Sequence, residues 1–481
     1  MSGFAVCRAL TISRAFHRRA RPALVLLMAI LLCNCASFNA LTRKLHSESY
    51  VADLTAHTEQ VLPADQPLGL DQCVQIALEH NLKGQAAEIQ ARIAQLERNI
   101  AFANFLPAVS MDASAMNWDN QPKSTMLAGM SIAMQDQTIR QDTVQFQMPI
   151  FLPATWYLYA IHERGTEIAD WVLEYTRQMI TLQVTALYFQ NLSMLEAERA
   201  FESQVLAAQT LQQEVASFLR EGMVASWQNT QVEALVLARQ SALHQTQRAR
   251  RQAEASLLTA MGVSPLASIP LAPSTPIEAP KESLEDLVAK ALIHNPQLHI
   301  ADRNIAIRHE QVKIAIAEFL PKLFGFANWG YNSNSMSVYS ESLITGVSGV
   351  MTLFDGLANV NEYKVARQGE KAAYVQREEA CLTVILQVVK AHLNVQTADE
   401  ELALAEKLFD AASGHCDEVE AQWREGLVSP SDRLDVRAER DQAQMQVAVA
   451  RYKQQVTVAS LLNVLGAGYA GYEVQQHENE L

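Results

Sequence analysis

The feature that most constrains this 481-residue chain is that one long stretch of it occurs twice. Residues 70–107 read LDQCVQIALEHNLKGQAAEIQARIAQLERNIAFANFLP, and residues 284–321 read LEDLVAKALIHNPQLHIADRNIAIRHEQVKIAIAEFLP. Laid over each other without a gap, they share His80/His294, Asn81/Asn295, a run of apolar positions and the closing Phe-Leu-Pro. A second matched pair follows each copy: LREG at 219–222 with WREG at 423–426, and ASLL at 255–258 with ASLL at 459–462. Two copies of one long unit, residues 70–263 and 284–466, therefore account for nearly the whole chain, and any fold has to accommodate both.

Ala, Gln, Leu, Val and Glu dominate, which is the composition of long helices. The formal net charge of −14 argues against nucleic acid as a partner, because phosphate backbones are bound by clustered Lys and Arg. Residues 1–35 carry five arginines and no acid, then the apolar run ALVLLMAILL, then Cys-Asn-Cys-Ala-Ser. Ten apolar residues are too few to span a bilayer, so this segment reads as an export signal. Cys35, with Leu32 three residues before it, resembles the lipid-acceptor cysteine of a bacterial lipoprotein; ordinary cleavage near Ala36 is the alternative. Residues 36–69 read as an N-terminal extended segment and 467–481 as a C-terminal tail. Cys73, Cys381 and Cys416 lack C-x-x-C spacing and signal no zinc or redox site.

Within each unit a helix runs from Leu70 or Leu284 to a Leu-Pro stop, broken at Asn81 or Asn295. Asn295-Pro296 is an N-cap followed by proline at the first helical position, and Ser283-Leu-Glu-Asp286 is a capping box. After the Leu-Pro stop the apolar period changes to two. Val109, Met111, Ala113 and Ala115 alternate with Ser110, Asp112 and Ser114, and Val144, Phe146, Met148 and Ile150 alternate with Thr143, Gln145 and Gln147. The second unit repeats this with Leu323, Gly325, Ala327 and Trp329, then Leu343 through Leu353. Hairpins are expected at 107–152 and 321–355. Strands of roughly ten residues can cross a bilayer at a tilt; soluble hairpins packed on the helices are the other reading.

From Trp156 to about Arg220, Ile180, Val184, Leu187, Met194, Phe201, Val205, Ala208, Val215 and Leu219 form a 4-3 ladder, a coiled-coil seam on a helix about 100 Å long. The chain turns near Gly222 and returns as a shorter helix. The proline-rich linker 264–283 leads into the second unit, with a long helix from about Leu357 and a turn near Gly426. By helix rise, the long helix matches the return helix and the Leu-Pro-terminated helix laid end to end.

The paired units, the Asn-Pro and Leu-Pro marks, the strand running into Met351-Thr-Leu-Phe-Asp-Gly356 and the two Arg-Glu-Gly turns together resemble the TolC-type outer membrane factors, over essentially all of the exported chain. The resemblance implies a mainly α fold with membrane β. Three protomers would each give four strands to one shared outer-membrane β-barrel, and long antiparallel helices to an α-barrel crossing the periplasm. Such a homotrimer would also remove the open strand edges that lipid cannot tolerate. The implied function is a passive exit duct of a tripartite efflux or type I secretion system, coupled to an inner-membrane pump by a periplasmic adaptor. Adaptor contacts would fall on the helix-turn-helix tips, at Arg220, Glu221, Gly222 and Val224 and at Arg424, Glu425, Gly426, Leu427 and Val428. Gly222 and Gly426 also suit plain helix C′ positions. Asp432 and Asp435 match positions where some family members carry aspartates that narrow the periplasmic aperture. On their own terms, Ser429-Pro430-Ser431-Asp432 read as N-cap, proline and acid at a helix start. The first-unit equivalents are Gln228 and Gln231, so an acidic ring would come from the second unit only.

No enzyme motif stands in the sequence: there is no H-E-x-x-H, G-x-S-x-G or phosphate loop, and the histidines lack ligand spacing. No cofactor or metal is expected. The competing class is an exported, lipid-anchored coiled-coil scaffold without a pore.

Overall fold

The computed structural model describes residues 40–62, 66–125, 131–273 and 275–466. The expected export signal, Cys35 and the tail 467–481 lie outside the described residues. The chain divides into a unit of residues 1–64 and one of residues 65–481. In the first, α1 (Ala40–Val61) is a helix where the sequence reading has an extended segment. No glycine or proline interrupts Ala40 to Val61, and Thr55 and Thr58 turn their hydroxyls back to the carbonyls four residues earlier. Its apolar residues do not gather on one face, so helical periodicity was not visible there.

The larger unit contains, in order, α2 (Leu70–His80), α3 (Leu82–Ala103), β1 (Ala108–Asn117), β2 (Lys123–Thr125), β3 (Ser131–Ala133), β4 (Thr138–Phe151), α4 (Pro153–Arg220) and α5 (Ser226–Ala260). It continues with α6 (Leu284–His294), α7 (Pro296–Ala317), β5 (Lys322–Asn332), β6 (Glu341–Val350), α8 (Ala358–Arg424) and α9 (Pro430–Val464). Helix lengths run 11, 22, 68 and 35 residues, then 11, 22, 67 and 35. At the usual rise the two long helices are each about 100 Å.

The helices form one layer of four columns. Helices α3 and α5 pack on one side of α4, α7 and α9 fill the space between α4 and α8, and α2 and α6 brace α4 and α8 respectively. Each pair of shorter helices meets at an asparagine. The Asn81 side chain accepts from the N–H groups of Lys83 (2.8 Å) and Gly84 (3.3 Å), capping α3, while its amide donates to the Ala260 carbonyl at 2.7 Å, at the end of α5. Asn295 does the same for α7 and the Val464 carbonyl, at 3.0 Å. One side chain thus satisfies backbone groups orphaned at two helix ends. Gly262 and Gly466 follow, with φ of 77° and 73°, so near the facing chain that an added Cβ would stand 2.1 Å from the His80 carbonyl oxygen and 2.4 Å from that of His294.

The single apolar seam expected on α4 proves too narrow. Ile180, Val184, Val205 and Ala208 are buried as expected, but so are Tyr188, Phe189 and Leu192, because this part of α4 has neighbours on several sides. The Tyr188 hydroxyl donates towards the carbonyls of Leu68 and Ala272 where these two segments pair as a short parallel bridge. The linker is held to α5 by buried Glu254, which accepts from the Ser268 hydroxyl (2.8 Å), the Ile269 N–H (2.9 Å) and Arg251 (2.9 Å). Burial pushes its carboxyl up, but those three donors overcome it and hold it below the usual glutamate range.

The four long strands form one antiparallel sheet in the order β1-β4-β5-β6, and β2 and β3 make a separate small ribbon. β6 ends at Val350, short of the expected Leu353, which is exposed beside the Asp355-Gly356 turn. Register sets Met111, Val144, Trp329 and Leu343 across one face and Ser110, Gln145, Asn328 and Ile344 across the other. Directly opposed residues share a side, so the sheet has one mostly apolar and one mostly polar face.

Candidate functional site: hairpin tips and open edges

Helices α4 and α8 stop in the same way. At the first tip the Gly222 N–H donates to the Leu219 carbonyl at 3.0 Å and the Met223 N–H to the Phe218 carbonyl at 2.9 Å. At the second, the Gly426 N–H donates to Trp423 at 2.9 Å and the Leu427 N–H to Gln422 at 3.0 Å. Both glycines have φ near +75°, the left-handed value that this paired bonding requires (φ 74° and 76°). Arg220, Glu221, Arg424, Glu425 and Leu427 are exposed around these turns, and Val224 and Val428 are half-buried. The glycine positions are accounted for by the turn itself. Both tips lie at one end of the layer, because the Ser431 N–H at the start of α9 donates to Glu214 of α4 at 2.8 Å.

The tips differ in what pins them. At the second, Glu420 of α8 accepts from Arg433 of α9 at 2.9 and 3.0 Å and from Arg437 at 2.5 Å, and the Arg433 guanidinium lies 3.7 Å from the centre of the Trp423 ring. The Arg433 hydrogen bonds, joined by Arg437, hold the Glu420 carboxyl below its usual range. The matched first-unit positions are Ala216, Leu219, Asn229 and Glu233, which cannot build this clasp. That tip instead exposes Phe218, Met223 and Trp227. Sequence reading missed the clasp and the apolar tip; their signal was this departure from the repeat.

Asp432 sits at the helix start as the plain reading of its neighbours required. Its N–H donates to the Ser429 hydroxyl at 3.1 Å, and that hydroxyl donates to its carboxylate at 2.9 Å. Asp435, one turn on, is exposed in the protomer. Desolvation by the surrounding helices, then Glu439 and Asp432 nearby, push its carboxyl above the usual aspartate range against the pull of Arg239. In the first unit, Gln228 caps the helix start by accepting from the Ala225 N–H at 2.8 Å.

The layer ends in two uncovered flanks. β1 and β6 are the sheet edges, each with no further strand beside it among the described residues, and every residue of both is exposed. On α3, Leu82, Ile89, Ile93, Leu96 and Ile100 are exposed at heptad spacing; on α8, at the opposite flank, so are Val375, Leu382, Leu386, Leu393, Leu404 and Leu408. Coiled-coil ladders of this kind bury themselves against another helix. Among the described residues no helix is long and apolar enough to cross a membrane, and no group of three or more His, Cys, Asp or Glu could hold a metal ion.

A layer of long helices carrying one four-stranded sheet is a fold found among solved outer-membrane channels. The solved structure of the Campylobacter jejuni CmeC outer membrane channel shares it, with a TM-score of 0.71 at 16% identity over 83% of this chain and 86% of that one. Likeness at such identity establishes the fold. The sequence profile of the outer membrane efflux protein family matches residues 73–263 and 287–467, and the chain belongs to that family. Membership places it in the outer membrane, in a family that is not one of enzymes. Among relatives, the outer membrane efflux protein BepC of Brucella suis is 24% identical over 189 residues, 39% of this chain. The outer membrane protein TolC of Escherichia coli is 25% identical over 203 residues, 41% of this chain. Both matches span only 41% of the relative's own length.

Proposed function

We propose that the protein is a passive exit duct, built from three copies of this chain. Its sheet would close into a barrel in the outer membrane, and its helices into a tube in the periplasm. The observation that carries the reading is the pair of uncovered flanks. An open strand edge in lipid strands backbone N–H and C=O groups at several kcal/mol each, so a spanning sheet must close. Four strands cannot close one. Three copies of a four-stranded sheet supply twelve, within the range of outer-membrane barrels. The α3 ladder of one copy would meet the α8 ladder of the next, while β1 of one pairs with β6 of the other. The TolC-type proteins that the chain resembles are trimers. The matched helix lengths support a duplicated unit as the source of the two halves.

In this reading the tips meet a periplasmic adaptor through Arg220, Glu221, Gly222, Val224, Arg424, Glu425, Gly426, Leu427 and Val428, and the adaptor couples the duct to an inner-membrane pump. Asp435 faces its copies near the threefold axis and narrows the aperture; Asp432 serves the helix start and adds charge beside it. Cys35 carries a lipid. The partners are thus two further copies, an adaptor, a pump and outer-membrane lipid. Membrane fractions washed with alkaline carbonate test the spanning sheet: the Cys35→Ala protein stays in the pellet if the strands hold it. Release of that variant would instead leave a lipid-anchored scaffold.

A further inference from the structure

The outer end of the sheet carries a built feature that the tips and flanks do not use. The loop between β5 and β6, residues 333–340, is fastened at several points. Asp136, in the connection before β4, accepts from the Ser335 hydroxyl at 2.7 Å and the Ser335 N–H at 2.5 Å, while its own N–H donates to Asn334 Oδ1 at 3.0 Å. The Arg140 N–H donates to the Ser333 hydroxyl at 2.8 Å, and the Asn332 N–H to the Ser340 carbonyl at 2.8 Å. Two distant parts of the chain are thus clasped together.

The side on which this loop lies is fixed by what it covers. A depression of about 440 Å³ is lined by Gln141, Asn332 and Ser342 from the strands and by Ser337, Val338 and Tyr339 from the loop. Gln141 is the register partner of Asn332, and Ser342 of Gly330. By the period of two, Gln141 shares a side with Gln145, whose partner is Asn328. Gln141, Gly330, Asn332 and Ser342 belong to the polar face, and of the strand residues at the depression only Tyr331 has the other parity, so the loop is folded over the polar face of the sheet. In a closed barrel that face is the lumen. Val338 is 87% exposed and Tyr339 79%, which for apolar side chains on a fastened loop means that they stand free of the rest of the chain. No charged side chain lines the depression.

We propose that the clasped loop 333–340 forms a constriction at the outer mouth, where Val338 and Tyr339, backed by amide and hydroxyl groups, contact passing cargo. The inference rests on the closed-barrel reading. It adds a narrowing at the end of the duct opposite Asp435.

Polymer exclusion in planar bilayers tests it. Conductance of the purified full-length protein is recorded with polyethylene glycols of graded size added to one side at a time. Two altered proteins are compared with the parent: Val338→Gly with Tyr339→Gly, which removes the side chains, and Asp136→Ala, which releases the clasp and leaves them in place. The expected result is that both admit polymers about twice as heavy from the loop side, with the cut-off from the opposite side unchanged. If all three share one loop-side cut-off, the constriction is overturned and the channel stands. If the parent forms no channel, the duct reading itself falls, and the loop inference with it.

Discussion

Replacing Gly262 with alanine tests the junction on which the helical columns depend. Gly222 and Gly262 have almost the same backbone angle, φ 74° and 77°, but unlike surroundings: an added Cβ meets nothing within 4 Å at Gly222 and the His80 carbonyl oxygen at 2.1 Å at Gly262. Both substitutions carry the left-handed penalty of about 1 to 2 kcal/mol. At Gly262 the end of α5 must also move off the α2–α3 break, which stretches the Asn81 to Ala260 bond and loosens the Asn81 cap. A lost hydrogen bond and a lost cap are each worth roughly 1 kcal/mol, so Gly262→Ala should cost about 2 kcal/mol more than Gly222→Ala. Hydrogen–deuterium exchange read on peptides covering residues 78–90 reports that local opening, and about 2 kcal/mol corresponds to roughly 30-fold faster exchange there. Gly222→Ala should leave those peptides unchanged. Equal protection in the two variants would refute the close approach and the shared-cap account of the columns.

Other consequences follow from the same geometry. Glu420 has a depressed carboxyl, so its contribution to the second tip is complete above the ordinary glutamate range and lost as pH falls through its lower folded value. Protection near residues 418–437, corrected for the intrinsic exchange rate at each pH, should fall on acidification, and Glu420→Gln should abolish that dependence; a tip equally protected at low pH would contradict it. Glu254→Ala leaves the Ile269 N–H and Ser268 hydroxyl without their acceptor, a cost of about 1 to 3 kcal/mol, and should speed proteolysis within the linker 264–283 severalfold. Asp435→Asn should relieve block of the channel by multivalent cations more than Asp432→Asn does, measured as the concentration for half block; equal relief would leave Asp435 no special place at the aperture.

Much of the fold was legible because regular patterns carry it. Val109 to Ala115 and Val144 to Ile150 alternate, the Leu-Pro marks end α3 and α7, and Gly222 and Gly426 close their turns as C′ residues. The stacking of short helices on a long one could be inferred from lengths, but not how it is fastened. That Asn81 caps one helix and donates to the end of another depends on a contact 179 positions away. Burial of Tyr188 on a second face of α4 was hidden because a heptad ladder reports one neighbour, whereas that stretch has several. Helix α1 was missed because it lacks an apolar stripe. At the candidate site, the turns were legible from Arg-Glu-Gly, while the Glu420, Arg433 and Trp423 clasp showed only as a mismatch between the units. The outer loop gave no signal at all, since Ser and Asn read as turn in any context.

The central claim is closure by three copies along the uncovered flanks. Native mass spectrometry of the full-length protein released from detergent measures it directly. The account predicts a single dominant species at three protomer masses, lost together with bilayer conductance when Leu382 and Leu386 on the α8 flank are both changed to Glu. A monomer that is stable in detergent, or a parent trimer that the double change leaves intact and conducting, would contradict it.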